Sequence, residues 1–436
     1  MKLVLAASLL FSAQATVPIW QVLPDIKLPI HVSDHSSTYV PASGSSDAAI
    51  YIAGGCNSPN GNTYVDANGL ELDYFLCESY SDQLFAFDTK SFETKAQMPR
   101  PRYRHAAVSA AGKLWLIGGR SIPEDSIIAE VDVYDPSTDT WSTVGTLPED
   151  YLTSDNGAFA NADGSTIYVV GGYNPQYFAP DALATTFSFQ TAAALASSSA
   201  SAPLAITRRA DLKSQRGDIH AVSSGDGTKA YVAGGFSGMC QPLTSAEVYD
   251  LDSDTWTSSG NLLKARGDGA LVEASGTIFS IGGEVNHPDQ CAAPELVPPL
   301  SHQALAINDV EALEYTSAND AAEWVDVATI PEFRFRFSAA SWPPTGVAFA
   351  FGGQTSFDET CKCFPTTNEV TALYSETMLA SDSGVSGSIH SNENTDFDSE
   401  TTLDSDSGVS GTTSNTFLPA KAMTMATALA VVWSLL

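Results

Sequence analysis

The side chains best placed to do chemistry are the arginines, because their positions repeat. Arg100, Arg102, Arg104, Arg208, Arg209, Arg216, Arg266, Arg334 and Arg336 fall in the stretches that lead into or out of apolar segments, and Arg120 directly follows a Gly-Gly pair. A guanidinium offers two parallel donors to a carboxylate or sulfate, and a concave site concentrates its charge. Arg102, Arg104, Arg120, Arg216, Arg266, Arg334 and Arg336 are therefore candidate ligand-binding residues for an anionic group, an acidic peptide or an anionic glycan. A second reading gives them a scaffold role, bonded to neighbouring backbone or to an Asp of their own sheet. Arg216-Gly-Asp218 and Arg266-Gly-Asp268 resemble adhesion tripeptides, but they fall where the repeat already calls for Arg and turn residues.

The other reactive side chains point to fewer options. His31, His35, His105, His220, His287, His302 and His390 show no metal-ligand spacing, so neither a metal nor a cofactor is expected, and His105 and His220 read as packed residues at a strand start. The six cysteines lack paired zinc-type spacing and suit disulfides in an oxidising compartment. Cys56 is expected to pair with Cys77; Cys240 with Cys291, and the sterically tight Cys361 with Cys363, are the remaining candidate pairs. The formal net charge of -31 excludes a nucleic-acid partner, since phosphate neutralisation needs an excess of clustered Lys and Arg.

The elements that must position these groups repeat along the chain. A Gly-Gly pair closes an apolar strand six times: Gly54-Gly55, Gly118-Gly119, Gly171-Gly172, Gly234-Gly235, Gly282-Gly283 and Gly352-Gly353. Three residues before each pair stands an aromatic, Tyr51, Trp115, Tyr168, Tyr231, Phe279 or Phe349. Strands apolar on both faces must lie between neighbouring sheets. The pairs are spaced by 64, 53, 63, 48 and 70 residues, which suits a four-stranded blade with variable loops. Short segments upstream of each pair form hairpins into it, and third strands follow at Gln83–Asp88, Glu130–Asp135, Ala246–Asp250, Val310–Tyr315 and Glu369–Tyr374.

Paired glycines, then Tyr-Asp, then Trp six residues after the Asp, as in Tyr134-Asp135 with Trp141 and Tyr249-Asp250 with Trp256, resemble the kelch-repeat family. The resemblance covers about Trp20 to Tyr374 and implies an all-β, six-bladed β-propeller, with Trp20, Trp141, Trp256 and Trp324 as structural fourth-strand residues. Two blades depart from it. The first has Phe92 in place of Trp, and the third carries the Ala/Ser-rich run Thr191 to Ala202, expected to be a loop or a poorly ordered insertion. The last blade stops at Tyr374, and Ile19-Trp20-Gln-Val-Leu-Pro24 matches the register of Trp141 to Pro148, so the N-terminal strand is expected to close the ring. The family implies a binding module that takes a protein, anionic or glycan ligand. Its alternative is a carbohydrate-active enzyme similar to galactose oxidase, whose copper ligands have no match here, or to a sialic-acid mutarotase, with Glu284 and Arg266 as a conceivable acid–base pair.

The chain ends read as sorting signals. Leu3 to Phe11 followed by Ala13-Gln14-Ala15 suggests a signal peptide over residues 1–15, and the propeller is assigned to 16–378. Residues 379–415 hold seven acidic residues and no Lys or Arg, a composition that cannot bury a core and predicts a disordered, extended stalk. Residues 416–436 end in an uncharged apolar run too short to span a bilayer, preceded by Ser410-Gly-Thr. That pattern predicts a glycosylphosphatidylinositol anchor at Ser410, a membrane attachment and a cell-surface location, with a single-pass helix starting near Phe417 or an interfacial segment as the alternatives.

Overall fold

The computed structural model describes residues 19–58, 77, 79–121, 126–174, 182–197, 199–238, 241–286, 304–314, 323–358, 360–361 and 363–374. The expected signal peptide, stalk, anchor and Ser410 lie outside them, as do Cys240 and Cys291. All the described residues belong to one compact unit, 1–384.

Six antiparallel four-stranded sheets repeat one order from the axis outwards. Blade one is Ser36–Val40, Ala49–Ala53, Leu84–Phe87 and Phe92–Thr94; blade two is Ala106–Ala110, Lys113–Ile117, Glu130–Asp135 and Thr140–Thr146. Blade three is Gly157–Ala160, Thr166–Val170, Thr186–Gln190 and Thr207–Arg208, and blade four is Ala221–Ser223, Lys229–Ala233, Ser245–Asp250 and Thr255–Asn261. Blade five is Ala270–Ala274, Thr277–Ile281, Asp309–Glu314 and Val325–Thr329. Blade six is Ser338–Trp342, Val347–Phe351, Glu369–Tyr374 and, outermost, the N-terminal strand Ile19–Lys27. That strand pairs Trp20 with Leu373, so the first and last parts of the propeller share one sheet, as the sequence requires. First strands of adjacent blades touch around the whole ring.

The diglycine joins one blade to the next. The second glycine donates its N–H to a carbonyl in the lead-in of the following blade: Gly55 to Arg102 at 2.9 Å, Gly172 to Arg216 at 2.9 Å, Gly235 to Arg266 at 2.8 Å, Gly353 to Val32 at 2.8 Å. The first glycine sits at positive φ, and a Cβ on Gly234 would lie 2.5 Å from the Arg266 carbonyl oxygen. Only glycine combines that backbone conformation with that approach.

The Trp position clamps blades two, four and five to their predecessors, and in blades two and four the Tyr-Asp turn adds to it. Tyr134 Oη donates to Asp139 Oδ1 at 2.7 Å, which also accepts from Ala96 N at 2.8 Å. Trp141 Nε1 donates to Ala96 O at 2.8 Å, Trp256 Nε1 to Thr186 Oγ1 at 3.1 Å and Trp324 Nε1 to Ser259 O at 3.1 Å. In blade one Phe92 replaces this hydrogen bond by stacking on Phe87, with centroids 4.7 Å apart.

The Ala/Ser-rich run differs from expectation. Thr191–Leu195 is a short α-helix with Thr191 and Ala194 buried, and Leu204 N donates to Thr146 O at 2.8 Å. Alanine favours helix once one face has somewhere to pack, and here that face is the edge of blade two.

Candidate functional site

The lead-in to every first strand contains one residue in left-handed conformation: Asp34, Arg104, Asp155, Asp218, Asp268 and Arg336, with φ between 52° and 56°. Their backbones bond around the axis. Asp34 N donates to Arg336 O at 2.8 Å, Arg104 N to Asp34 O at 2.9 Å, Asp155 N to Arg104 O at 2.8 Å, Asp268 N to Asp218 O at 3.2 Å and Arg336 N to Asp268 O at 2.7 Å; Ile219 N reaches Asp155 O at 3.5 Å. Asp tolerates this conformation because its short side chain bonds locally. Arg104 and Arg336 hold it because the ring fixes them.

The residue after each diglycine forms a second tier against this ring. Arg120 Nε donates to Ser154 Oγ at 2.9 Å and lies 3.8 Å from Asp155 Oδ2. Tyr173 Oη donates to Asp218 Oδ2 at 2.7 Å, and Arg336 Nη1 donates to Gln354 Oε1 at 3.2 Å. Across the ring Arg104 pairs with Asp34 at 3.2 Å and Asp155 at 3.4 Å, and Arg336 with Asp268 at 3.2 Å. Glu284 is buried at the same level, and its Oε2 finds no partner.

Five carboxylates thus meet three guanidiniums. Burial and the neighbouring Asp268 charge push the Glu284 carboxyl up to about 8; burial, Asp268 and Asp155 raise Asp218 well above its usual range. Burial raises Asp268 too. Burial and the Arg104 charge oppose the Arg336 cation, but Asp34, Asp268 and Glu284 outweigh them and hold it protonated. Glu284 is therefore largely protonated at neutral pH, because the cluster carries more acid than base.

The ring lines a cavity of about 80 Å³ whose walls include Asp34, Arg104, Asp155, Asp218, Asp268 and Arg336. That is well below the roughly 300 Å³ at which small-molecule sites begin. Water or one side-chain tip fits; a sugar ring has too little room. Among the described residues no group of His, Cys, Asp and Glu is arranged to hold a metal ion.

The predicted arginines separate into two sets. Arg104, Arg120 and Arg336 belong to the charged ring. Arg102, Arg216, Arg266 and Arg334 are at most 2% exposed and lie inside the blades, so the expected Arg-lined mouth for an anion is not the arrangement the chain builds. Arg216 Nη1 donates to Gly234 O at 2.7 Å and Ser245 O at 2.8 Å, and Nη2 donates to Glu247 Oε1 at 2.8 Å. Arg266 bonds Gly282 O at 3.0 Å, Asp309 O at 2.9 Å and the Glu311 carboxylate; Arg102 bonds Gly118 O at 3.1 Å and the Asp132 carboxylate. One guanidinium thus ties a blade's lead-in to its diglycine and its third strand. Neither Arg-Gly-Asp tripeptide is available for adhesion, since both arginines are internal, and Arg266 is committed to Glu311 rather than to Glu284. Blade six departs: Thr371 stands where a carboxylate is found in blades two, four and five, and Arg334 turns to Glu332 at 3.3 Å.

His105 and His220 are packed as expected. His105 Nε2 meets Ser36 Oγ at 2.9 Å and His220 Nδ1 meets Gly269 O at 3.0 Å; burial lowers both and takes His35 down to about 3. The expected disulfides Cys56–Cys77 and Cys361–Cys363 are formed.

The sequence reading missed the acidic half of the site: Asp34, Asp155, Asp218 and Asp268 in the ring, and Asp132, Glu247 and Glu311 beneath the arginines. A signal was available. Aligning Val32-Ser-Asp34, Arg102-Tyr-Arg104, Thr153-Ser-Asp155, Arg216-Gly-Asp218, Arg266-Gly-Asp268 and Arg334-Phe-Arg336 puts all six ring residues in one column.

A ring of six diglycine-stitched blades around a charged hub defines a β-propeller of the kelch class. The family model described as the KLHDC2/KLHL20/DRC7 Kelch-repeats domain matches residues 34–283, more than half of the chain, and the chain belongs to this kelch-repeat family. It is 33% identical over 153 residues to Kelch-like protein 25 of Xenopus tropicalis, covering 35% of this chain and 22% of that protein. It is 32% identical over 102 residues to Kelch-like protein 38 of Danio rerio, covering 22% and 17%, and 34% identical over 85 residues to Beta-scruin of Limulus polyphemus, covering 20% and 9%. The chain therefore spans about a fifth or less of the length of these relatives. A solved structure titled "Structure of YjhT" superposes with a TM-score of 0.57 at 13% identity, covering 80% of this chain and 95% of that one, a likeness of fold.

Proposed function

We propose that this propeller is a protein-binding module, displayed outside the cell, that grips its partner with the loops joining second to third strands. Kelch propellers are typically protein-binding modules. The observation that carries the reading is the asymmetry of the loops. On one face the second strand reaches the third through residues 54–83, 118–129, 171–185, 234–244, 282–308 and 352–368, whereas on the other the first turns into the second through as little as 111–112 or 275–276. Long loops held on one side of a rigid scaffold are where binding surfaces form.

The same segments favour a basic or neutral partner over an anion. They carry thirteen Asp and Glu residues, against Arg120 and Lys362; Arg120 and, among the acids, Glu284 are buried, which leaves twelve acids against Lys362. Electrostatic complementarity then draws a positively charged protein surface to this face. Display outside the cell is supported by the signal-like residues 1–15, the anchor-like tail after Ser410 and the two disulfides, which suit an oxidising compartment.

Surface cross-linking on intact cells that express the full chain tests both parts. Shortening 121–126 to a two-residue turn is expected to abolish the cross-linked species, while replacing Asp252-Ser253 on the opposite face is expected to leave it. A phosphatidylinositol-specific phospholipase is expected to release the protein. Loss of cross-linking through the opposite face, or a protein that stays inside the cell, would refute the corresponding half.

A further inference from the structure

The blade-six loop 352–368 carries Cys361 and Cys363, bonded across a sequence separation of 2. The Cys56–Cys77 disulfide spans 21 residues, and both of its cysteines are buried. The short bridge is asymmetric: Cys363 is 2% exposed, whereas Cys361 faces solvent. A cross-link that closes so small a loop removes little freedom from the unfolded chain.

The hairpin around it is held by other means. Asp358 N donates to Cys363 O at 2.8 Å and Thr355 N to Pro365 O at 3.0 Å, and Gln354 Nε2 donates to Phe364 O at 3.3 Å. Phe364 packs edge-on against Phe335 and Phe357, with centroids 5.4 and 5.2 Å away. The bond is therefore dispensable for the loop. Because only one of the two sulfurs is accessible, attack by an outside thiol is confined to Cys361.

We propose that Cys361–Cys363 is a thiol–disulfide exchange site on the long-loop face, whose co-reactant is a dithiol. A thiolate of the dithiol attacks Cys361 Sγ; the bond to Cys363 breaks, and Cys363 Sγ leaves as a thiolate and takes up a proton. The mixed disulfide on Cys361 is then attacked by the second thiolate of the dithiol, which releases Cys361 as a thiolate that is protonated in turn. Two electrons have passed: the dithiol is oxidised to a disulfide and the loop is reduced to two thiols. Lys362 separates the pair in sequence, and a neighbouring cation favours the thiolates.

Differential alkylation with mass spectrometry tests this on the folded full chain under graded dithiothreitol. Cys361 and Cys363 are expected to be alkylated at a reductant concentration at least about tenfold below the one that opens Cys56–Cys77, with the circular-dichroism melting curve unchanged. With oxidised glutathione, Cys363→Ser is expected to form an adduct at Cys361, and Cys361→Ser to leave Cys363 unmodified. Opening of both bridges together, opening only in urea, or capture at Cys363 would overturn the proposal. Should a variant fail to fold, the graded reduction of the unaltered protein still decides.

Discussion

Truncating Arg216 to Ala distinguishes a scaffold guanidinium from a ligand receptor most sharply. The side chain is fully buried and donates to Gly234 O, Ser245 O, Ser245 Oγ and Glu247 Oε1 at 2.7–2.9 Å. Without it Glu247 keeps only the Lys213 and Ser214 amides as donors, at 2.7 and 3.0 Å. Leaving one member of a buried pair uncompensated costs about 3–5 kcal/mol. Over a propeller of roughly 350 residues, with about 2.1 cal/mol/K of unfolding entropy each, that loss lowers Tm by roughly 4–7 °C. Thermal and urea unfolding followed by circular dichroism measure it. Arg216→Met combined with Glu247→Gln is expected to recover part of the loss, since no unpaired charge is then buried while the amide oxygen can still accept from the Lys213 and Ser214 amides, giving a coupling of at least about 1 kcal/mol in the double-mutant cycle. A melting point for R216A within about 1 °C of the parent, or a double variant as unstable as the sum of its singles, would refute the scaffold role.

Gly234→Ala is expected to cost on the order of 3 kcal/mol or more, because its Cβ would lie 2.5 Å from Arg266 O. Gly276→Ala, at φ +85° with open space around it, is expected to lose only the conformational cost of about 1–2 kcal/mol; equal losses in urea titration would count against the inter-blade stitch. Glu284, held at about 8 in the folded protein and near 4.3 unfolded, favours the protonated folded state, so it costs stability progressively as pH rises from about 4.3 to 8. Glu284→Gln is expected to leave stability at pH 5 nearly unchanged and to raise it at pH 8 by a few kcal/mol at most; a pH-independent difference would show that the carboxyl does not titrate there. Deleting Ile19 to Ile26 strips blade six of its outer strand and of Trp20, and is expected to yield no soluble folded protein, as read by gel filtration and circular dichroism. A soluble, cooperative deletion variant would contradict ring closure by this strand.

The sequence by itself determined the number of blades, their boundaries and the closing strand. Each of those rests on a local constraint: six aromatic-plus-diglycine strands, a backbone conformation that glycine alone reaches cheaply, and a Trp register shared by Ile19-Trp20 and Trp141. It also carried the Cys56–Cys77 pairing, since both cysteines lie in one loop of one blade. The charged site was legible only as a list of arginines. Whether Arg216 faces a ligand or Glu247 depends on which third-strand residue the sheet register sets opposite Val232, two positions before the diglycine, and whether Arg104 meets Asp34 depends on blades one and two standing side by side around the axis. Thr191–Leu195 became a helix for the same reason, because blade two offers its apolar face a surface to pack on. Such pairings join residues tens of positions apart, and burial turns them from solvated charges into fixed bonds; only the closed ring decides them.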